Sequence, residues 1–237
     1  MTRELETQVI NITNRTYNVK SVRFALSEPV DFQAGQFMFV TLKSQGKEIS
    51  HPLSISNSPT EKGFVEFTKK LSESEFSQGL CNLKIGDPCR LKLPFGQFTL
   101  KPEIKKIIFI AGGIGITPIR SMIKFASDYR MDTKLVLLYS NHRPEDIVFK
   151  DDFAKMEAEN PNLKVVHTIT GPEEVPEWNG RRGYINEFVI KETVPDYPDY
   201  VFYLCGPPRM TEAMIIMLKE RLCVPPERII IERFSGY

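Results

Sequence analysis

The chain has 237 residues, of which 41% are hydrophobic and 26% charged, with 31 Lys plus Arg set against 30 Asp plus Glu. This is ordinary globular composition and excludes the disordered and fibrous classes. The near-zero balance gives no electrostatic reason to expect nucleic acid or an anionic membrane surface as partner.

From the N-terminus, residues 8–13, 19–26, 36–43, 63–70 and 89–93 are short runs rich in Val, Ile, Phe and Thr and predict β-strands. Turn residues separate them, as at Glu28-Pro29, Gln45-Gly46, Asn57-Ser58-Pro59 and Gly86-Asp87-Pro88. Strands at this spacing point to a sandwich or barrel, with one short helix over 76–83. After Lys101-Pro102 the pattern changes. Strands predicted over 106–111, 134–140, 163–170, 200–205 and 228–234 alternate with helices over 118–129, 144–158, 186–192 and 210–222. Thr117 is expected to cap the first of these helices, with Pro118 at its first position. Met210, Ala213, Met214, Met217 and Leu218 recur at helical spacing and predict a buried face. The alternation implies a parallel sheet with crossover helices. Two domains are therefore expected: an N-terminal antiparallel β-barrel over 1–102 and a C-terminal α/β domain over 103–237.

The first residues are charged and lack the apolar segment of an export signal, and the apolar run over 107–119 is too short and too glycine-rich to span a bilayer. A cytoplasmic protein with no membrane span is expected. Cys81, Cys89, Cys205 and Cys223 form no C-x-x-C pair, and His51, His142 and His167 are scattered, so no metal site is expected.

Two loops carry chemistry. Ala111-Gly112-Gly113-Ile114-Gly115-Ile116-Thr117-Pro118 follows an apolar strand and opens a helix. Glycines there let the backbone approach a pyrophosphate, and the helix N-terminus offers free N–H groups. Cys205-Gly206-Pro207-Pro208-Arg209-Met210 also follows a strand and precedes a helix. Both loops are expected at the carboxyl ends of parallel strands, where open α/β sheets bind ligands. Ser140 and Arg143 follow a strand with no acid before Glu145 and suit the 2′-phosphate of NADPH, with NADH left open.

With these loops in place, the whole chain resembles the ferredoxin–NADP reductase superfamily. The matching pieces are Gly35-Gln36-Phe37, His51-Pro52-Leu53-Ser54, Ser77, Pro94-Phe95-Gly96, the two loops above, and Glu232-Arg233-Phe234. The resemblance implies a barrel that binds flavin, FAD or else FMN, and an α/β domain that binds NADPH or NADH. Ser54 then stands near flavin N5, Ser77 at the flavin pyrophosphate, and Cys205 beside the reacting nicotinamide carbon. Glu232 is the family's terminal acid, and Phe234 or Tyr237 the aromatic that covers the flavin. Gly112, Gly113, Gly115, Thr117, Gly206, Pro207 and Met210 fall in the nucleotide loops. His51 stands where the family has arginine, and Leu53 where it has the stacking tyrosine. Ser74 stands where the glycine before the pyrophosphate serine would be. The implied activity is hydride transfer between NAD(P)H and bound flavin, with electrons passed to a one-electron protein such as ferredoxin or flavodoxin, or to an oxygenase component. Three other readings stay open: a free-flavin reductase, an electron-transfer subunit of a larger complex, and a non-catalytic nucleotide-sensing module.

Overall fold

The computed structural model describes residues 2–44, 46–171 and 178–233. In the N-terminal part, β1 (Arg3–Thr16) and β2 (Val19–Ala25) form a hairpin, followed by β3 (Phe37–Ser44), β4 (Lys47–Ser54) and β5 (Phe64–Lys70). Helix α1 (Glu75–Asn82) and strand β6 (Pro88–Phe95) complete it. The sheet is antiparallel in the order β4-β3-β6-β1-β2-β5. It curls until its edges meet at an Ile55–Phe67 bridge, beside which the Ser56 N–H donates to the Glu66 carbonyl at 2.7 Å. Val22, Phe24, Met38, Val40, Phe67 and Leu91 fill the interior with no exposure, and Phe76 and Leu80 of α1 close its end.

Composition does not mark β4 as a strand, because Lys-Glu-Ile-Ser-His-Pro is too polar and contains a proline. It forms because it is an edge strand: Pro52 has no N–H to give to a second neighbour, and at an edge none is required.

In the C-terminal part the chain runs β7 (Lys106–Gly112), α2 (Ile116–Asp128), β8 (Lys134–Asn141), α3 (Lys150–Glu159), β9 (Leu163–Ile169), β10 (Arg181–Arg182), α4 (Glu187–Thr193), β11 (Val201–Cys205), α5 (Pro208–Ile216) and β12 (Ile229–Glu232). The strands pair in parallel in the order β10-β9-β8-β7-β11-β12. Alternate residues of β7 feed opposite layers. Ile107 and Phe109 pack with Ile119 and Ile123 of α2, and Ile108 and Ile110 pack with Ile190 of α4 and Met214 of α5. The order reverses at β7, which has β8 on one side and β11 on the other. That reversal opens a crevice at the carboxyl ends of β7 and β11. No helix among the described residues is long and apolar enough to cross a membrane.

Three local expectations are corrected. Helix α2 starts earlier than predicted, and Gly115, not Thr117, is its N-cap. The Thr117 hydroxyl instead donates to the Ile114 carbonyl at 2.7 Å. The helix predicted over 144–158 is broken into a short turn at Pro144–Asp146 and α3. Between them Ile147, Val148 and Phe149 turn into the core, with Phe149 at φ 61°, so apolar burial overrides helix continuity. Helix α5 begins at Pro208, and its predicted last turn is a π-type turn over Met217–Arg221.

Candidate active site between the two sheets

A cleft of about 610 Å³ lies between the curled sheet and the carboxyl edge of the parallel one. On the first side it is lined by Phe37, Phe39, His51, Pro52, Leu53, Ser54 and the stretch 68–72; on the second by Gly113, Ile114, Thr117, Pro207, Glu232 and Arg233. The fold thus gathers eight predicted site residues: His51, Pro52, Leu53, Ser54, Gly113, Thr117, Pro207 and Glu232.

The second side is built by backbone approach. Gly113 has φ +50°, and its carbonyl accepts from the Tyr139 hydroxyl at 3.0 Å, which props the loop from below. A Cβ on Gly115 would fall within 3.0 Å of the Cys205 carbonyl and the Gly206 nitrogen. A Cβ on Gly112 would strike Met210. The two nucleotide loops therefore touch, and Gly112, Gly115, Gly206 and Met210 form the contact beneath the cleft. Helix α2 has no side-chain cap, and its Ile116 N–H already donates to the Gly113 and Ile114 carbonyls, so the part of this end that meets the cleft is the turn at Gly113 and Ile114.

Cys205 and Glu232 are neighbours in register on β11 and β12. Cys205 has no exposure, and burial followed by the nearby Glu232 charge pushes its thiol well above the usual range. A neutral, enclosed thiol is a poor nucleophile, and Cys205 is not part of the cleft lining. Burial also raises the Glu232 carboxyl, which faces the cleft half-buried.

The first side is built from side chains. His51 and Lys69 both face the cleft, and neither forms an ion pair among the described residues. Burial lowers both pKa values, and Lys69 adds to the lowering at His51. Two basic side chains thus stand at the cleft with no acid paired to them among the described residues. Ser77 is fully buried and does not line the cleft. Its hydroxyl accepts from the Ser72 N–H at 3.1 Å, and its own N–H donates to the Ser74 hydroxyl. Ser74 caps α1, and Ser77, inside that helix, holds Ser72, which lines the cleft. Leu53 is 8% exposed and packs with the barrel interior while its outer edge lines the cleft. The half-buried rings of Phe37 and Phe39, 5.7 Å apart on the neighbouring strand, supply the aromatic wall.

Lys69, Phe39, Thr68 and Ser72 were not foreseen. The only signal for Lys69 is a basic doublet at the end of β5, which meets His51 only once the barrel closes. Ser140 is the penultimate residue of β8 and lies outside the cleft lining, and Arg143 is exposed with Nη1 3.8 Å from Glu145. Phe234 and Tyr237 lie outside the described residues.

The residues fit the two groups implied. Paired bases and an aromatic wall on one side, and a glycine cradle under an uncapped helix on the other, define a flavin- and dinucleotide-binding oxidoreductase. Known proteins agree. Residues 6–100 match the oxidoreductase FAD-binding domain family, and residues 109–215 match the oxidoreductase NAD-binding domain family. The chain is 33% identical over 216 residues to NADH-cytochrome b5 reductase 1 of Neosartorya fischeri, covering 85% of this chain and 69% of that one. It is 29% identical over 243 residues to one component of the Na(+)-translocating NADH-quinone reductase of Pseudoalteromonas atlantica, covering 96% of this chain but only 59% of that component. A solved ferredoxin reductase in carbazole 1,9a-dioxygenase superposes with a TM-score of 0.85 at 28% identity, covering 99% of this chain and 70% of that one. The chain belongs to the ferredoxin–NADP reductase superfamily of FAD- and NAD(P)-binding oxidoreductases.

Proposed function

We propose that the chain takes hydride from a reduced nicotinamide dinucleotide onto FAD held in this cleft and delivers the electrons to a one-electron redox protein. The carrying observation is that one cleft joins a cationic side-chain site to a glycine cradle. FAD bound there accepts a hydride and releases electrons singly. His51 and Lys69 hold its phosphates, with Ser72 beside them. Ser54 presents its hydroxyl at the reacting edge. Gly113, Ile114 and Thr117 hold the dinucleotide phosphates, and Cys205, Gly206 and Pro207 shape the nicotinamide end. Glu232, half-buried in the cleft lining, presents its carboxyl to the site. The boundary between domains is placed at 102–103, supported by β6 ending at Phe95 and β7 starting at Lys106.

NADH is favoured over NADPH. The two curated relatives above are named for NADH. The acceptor is a small redox carrier or an oxygenase component, in keeping with the cytochrome b5 and dioxygenase systems named among the relatives.

The test is the visible spectrum of the purified protein, followed by NADH and NADPH added separately without oxygen. A flavin spectrum bleached faster by NADH supports both statements. A colourless protein that oxidises NADH only with added flavin points to a free-flavin reductase, and one that binds nucleotide but stays inactive with added flavin to a sensing module. Ser54→Ala is expected to slow flavin reduction roughly tenfold while nucleotide affinity stays within about twofold. Equal losses in both remove Ser54 from the reacting edge.

A further inference from the structure

We propose that Arg120 is a positioning residue that fixes the two walls of the cleft against each other, and so sets the spacing at which nicotinamide meets flavin. The proposal rests on the function above. Arg120 lies on α2, the helix whose N-terminus lines the dinucleotide side, yet it is only 6% exposed and its partners come from both halves of the chain. Nη1 donates to Glu61 Oε2 at 2.5 Å and to the Ser56 carbonyl at 3.2 Å. Nη2 donates to Glu61 Oε1 at 3.2 Å and to Asp152 Oδ2 at 2.9 Å, and Nε reaches the same oxygen at 3.1 Å. The Phe149 ring lies 5.6 Å from the guanidinium carbon. One helix position on, the Ser121 hydroxyl donates to the Asn57 carbonyl at 2.7 Å.

The receiving loop, 56–61, is preformed for this cation. Asn57 Oδ1 accepts from the Glu66 N–H at 2.8 Å, and Glu61 Oε2 accepts from the Ser58 N–H at 2.7 Å. Ser56 also donates to Glu66 Oε1 at 3.0 Å, and Glu66 is held by Arg23 at 2.6 Å. This loop leaves the cleft directly after Ser54 and Ile55, so its placement is the placement of Ser54. A buried cation between two carboxylates is a weak stability device, because desolvation offsets most of its attraction. Its planar fork is, however, a strong directional one. Small displacements of reacting atoms cost rate steeply, so this contact acts on rate before it acts on binding.

Arg120→Lys and Glu61→Gln test the proposal, since both keep volume and neither residue lines the cleft. Four quantities are read on the flavin-loaded protein: flavin content, NAD+ affinity, the rate of reduction by NADH, and the long-wavelength charge-transfer absorbance of the reduced protein with NAD+. Backbone hydrogen exchange over 56–61 is measured alongside. The expected result is faster exchange in the loop, a weaker charge-transfer band and a roughly tenfold to hundredfold slower reduction, with flavin content and NAD+ affinity within about threefold of wild type. Reduction at the wild-type rate with an unchanged band overturns the proposal, and so does a loss of rate that merely tracks lost flavin or nucleotide. Wild-type protein that holds flavin but is bleached by neither nucleotide overturns the underlying function instead, and is distinguished by needing no variant.

Discussion

The two walls of the cleft are built by different means. The dinucleotide side is a backbone surface: glycines in contact, a helix end without a cap, and a carbonyl propped by Tyr139. The flavin side is a side-chain surface: His51, Lys69, Phe37 and Phe39 project from strands whose backbones are committed to the barrel. A backbone surface tolerates almost no added atom, whereas a side-chain surface can exchange one group for another of similar charge or shape. That is why the glycine loop keeps the family pattern here, while the flavin motif departs from it at His51 and Leu53 without losing an anion site or an aromatic wall.

The largest effect that would separate the two walls is expected at Gly115. Gly115→Ala should cost about 2–3 kcal/mol of stability and abolish nucleotide binding, because the obstructing atoms are the Cys205 carbonyl and Gly206 nitrogen. Gly112→Ala should cost only about 1 kcal/mol, since much of the strain falls on the flexible Met210 side chain. Chemical denaturation and NADH titration measure both, and equal costs would break the distinction.

Next in size, Lys69→Ala should weaken flavin binding roughly tenfold, the worth of a charge-assisted contact, and leave dinucleotide affinity within about twofold. Flavin release followed by fluorescence reads this directly.

A smaller effect sharpens the same contrast through pH. His51 in the flavin-free protein titrates below its ordinary value of 6.5 because of burial first and Lys69 second. On acidification the unfolded chain therefore takes up the proton first. The His51 contribution to stability is full above pH 6.5 and is lost as pH falls through the lowered folded value. A bound pyrophosphate favours the charged ring and reverses this, so flavin affinity should rise severalfold, up to about tenfold, on going from about pH 8 to about pH 5. Dinucleotide affinity, resting on amide N–H groups that do not titrate, should stay nearly flat. Two parallel pH profiles would remove His51 from the phosphate site.

The smallest effect is expected at Arg143. Arg143→Ala should change NADH affinity by less than about twofold, because the side chain is exposed and paired with Glu145. A tenfold loss for NADPH alone, measured by competition, would reinstate the 2′-phosphate role.

Much of this molecule was legible in the residue order. The switch from short β runs to alternating strands and helices near 100–104 separated the two sheets, and the loops at 112–118 and 205–210 marked the dinucleotide wall. Both signals are local: strand, turn and helix follow each other within a few residues, so period and turn chemistry reveal them. The flavin wall was legible only through family resemblance, and then in part. Strand β4 is too polar to be read as a strand, and Ser77 is a buried residue of α1 that does not line the cleft.

Residue order alone settled the alternation of elements, the glycines and the chemistry available to each loop, because backbone sterics, turn preference and apolar period act between near neighbours. Closure of the barrel settled the rest. It brought Lys69 to His51 across the Ile55–Phe67 seam and packed Leu53 against the interior beneath the cleft, and the meeting of the two halves set Arg120 between Glu61 and Asp152. Such contacts join residues far apart in the chain. They depend on strand order and on how two packed halves meet, which no local pattern encodes.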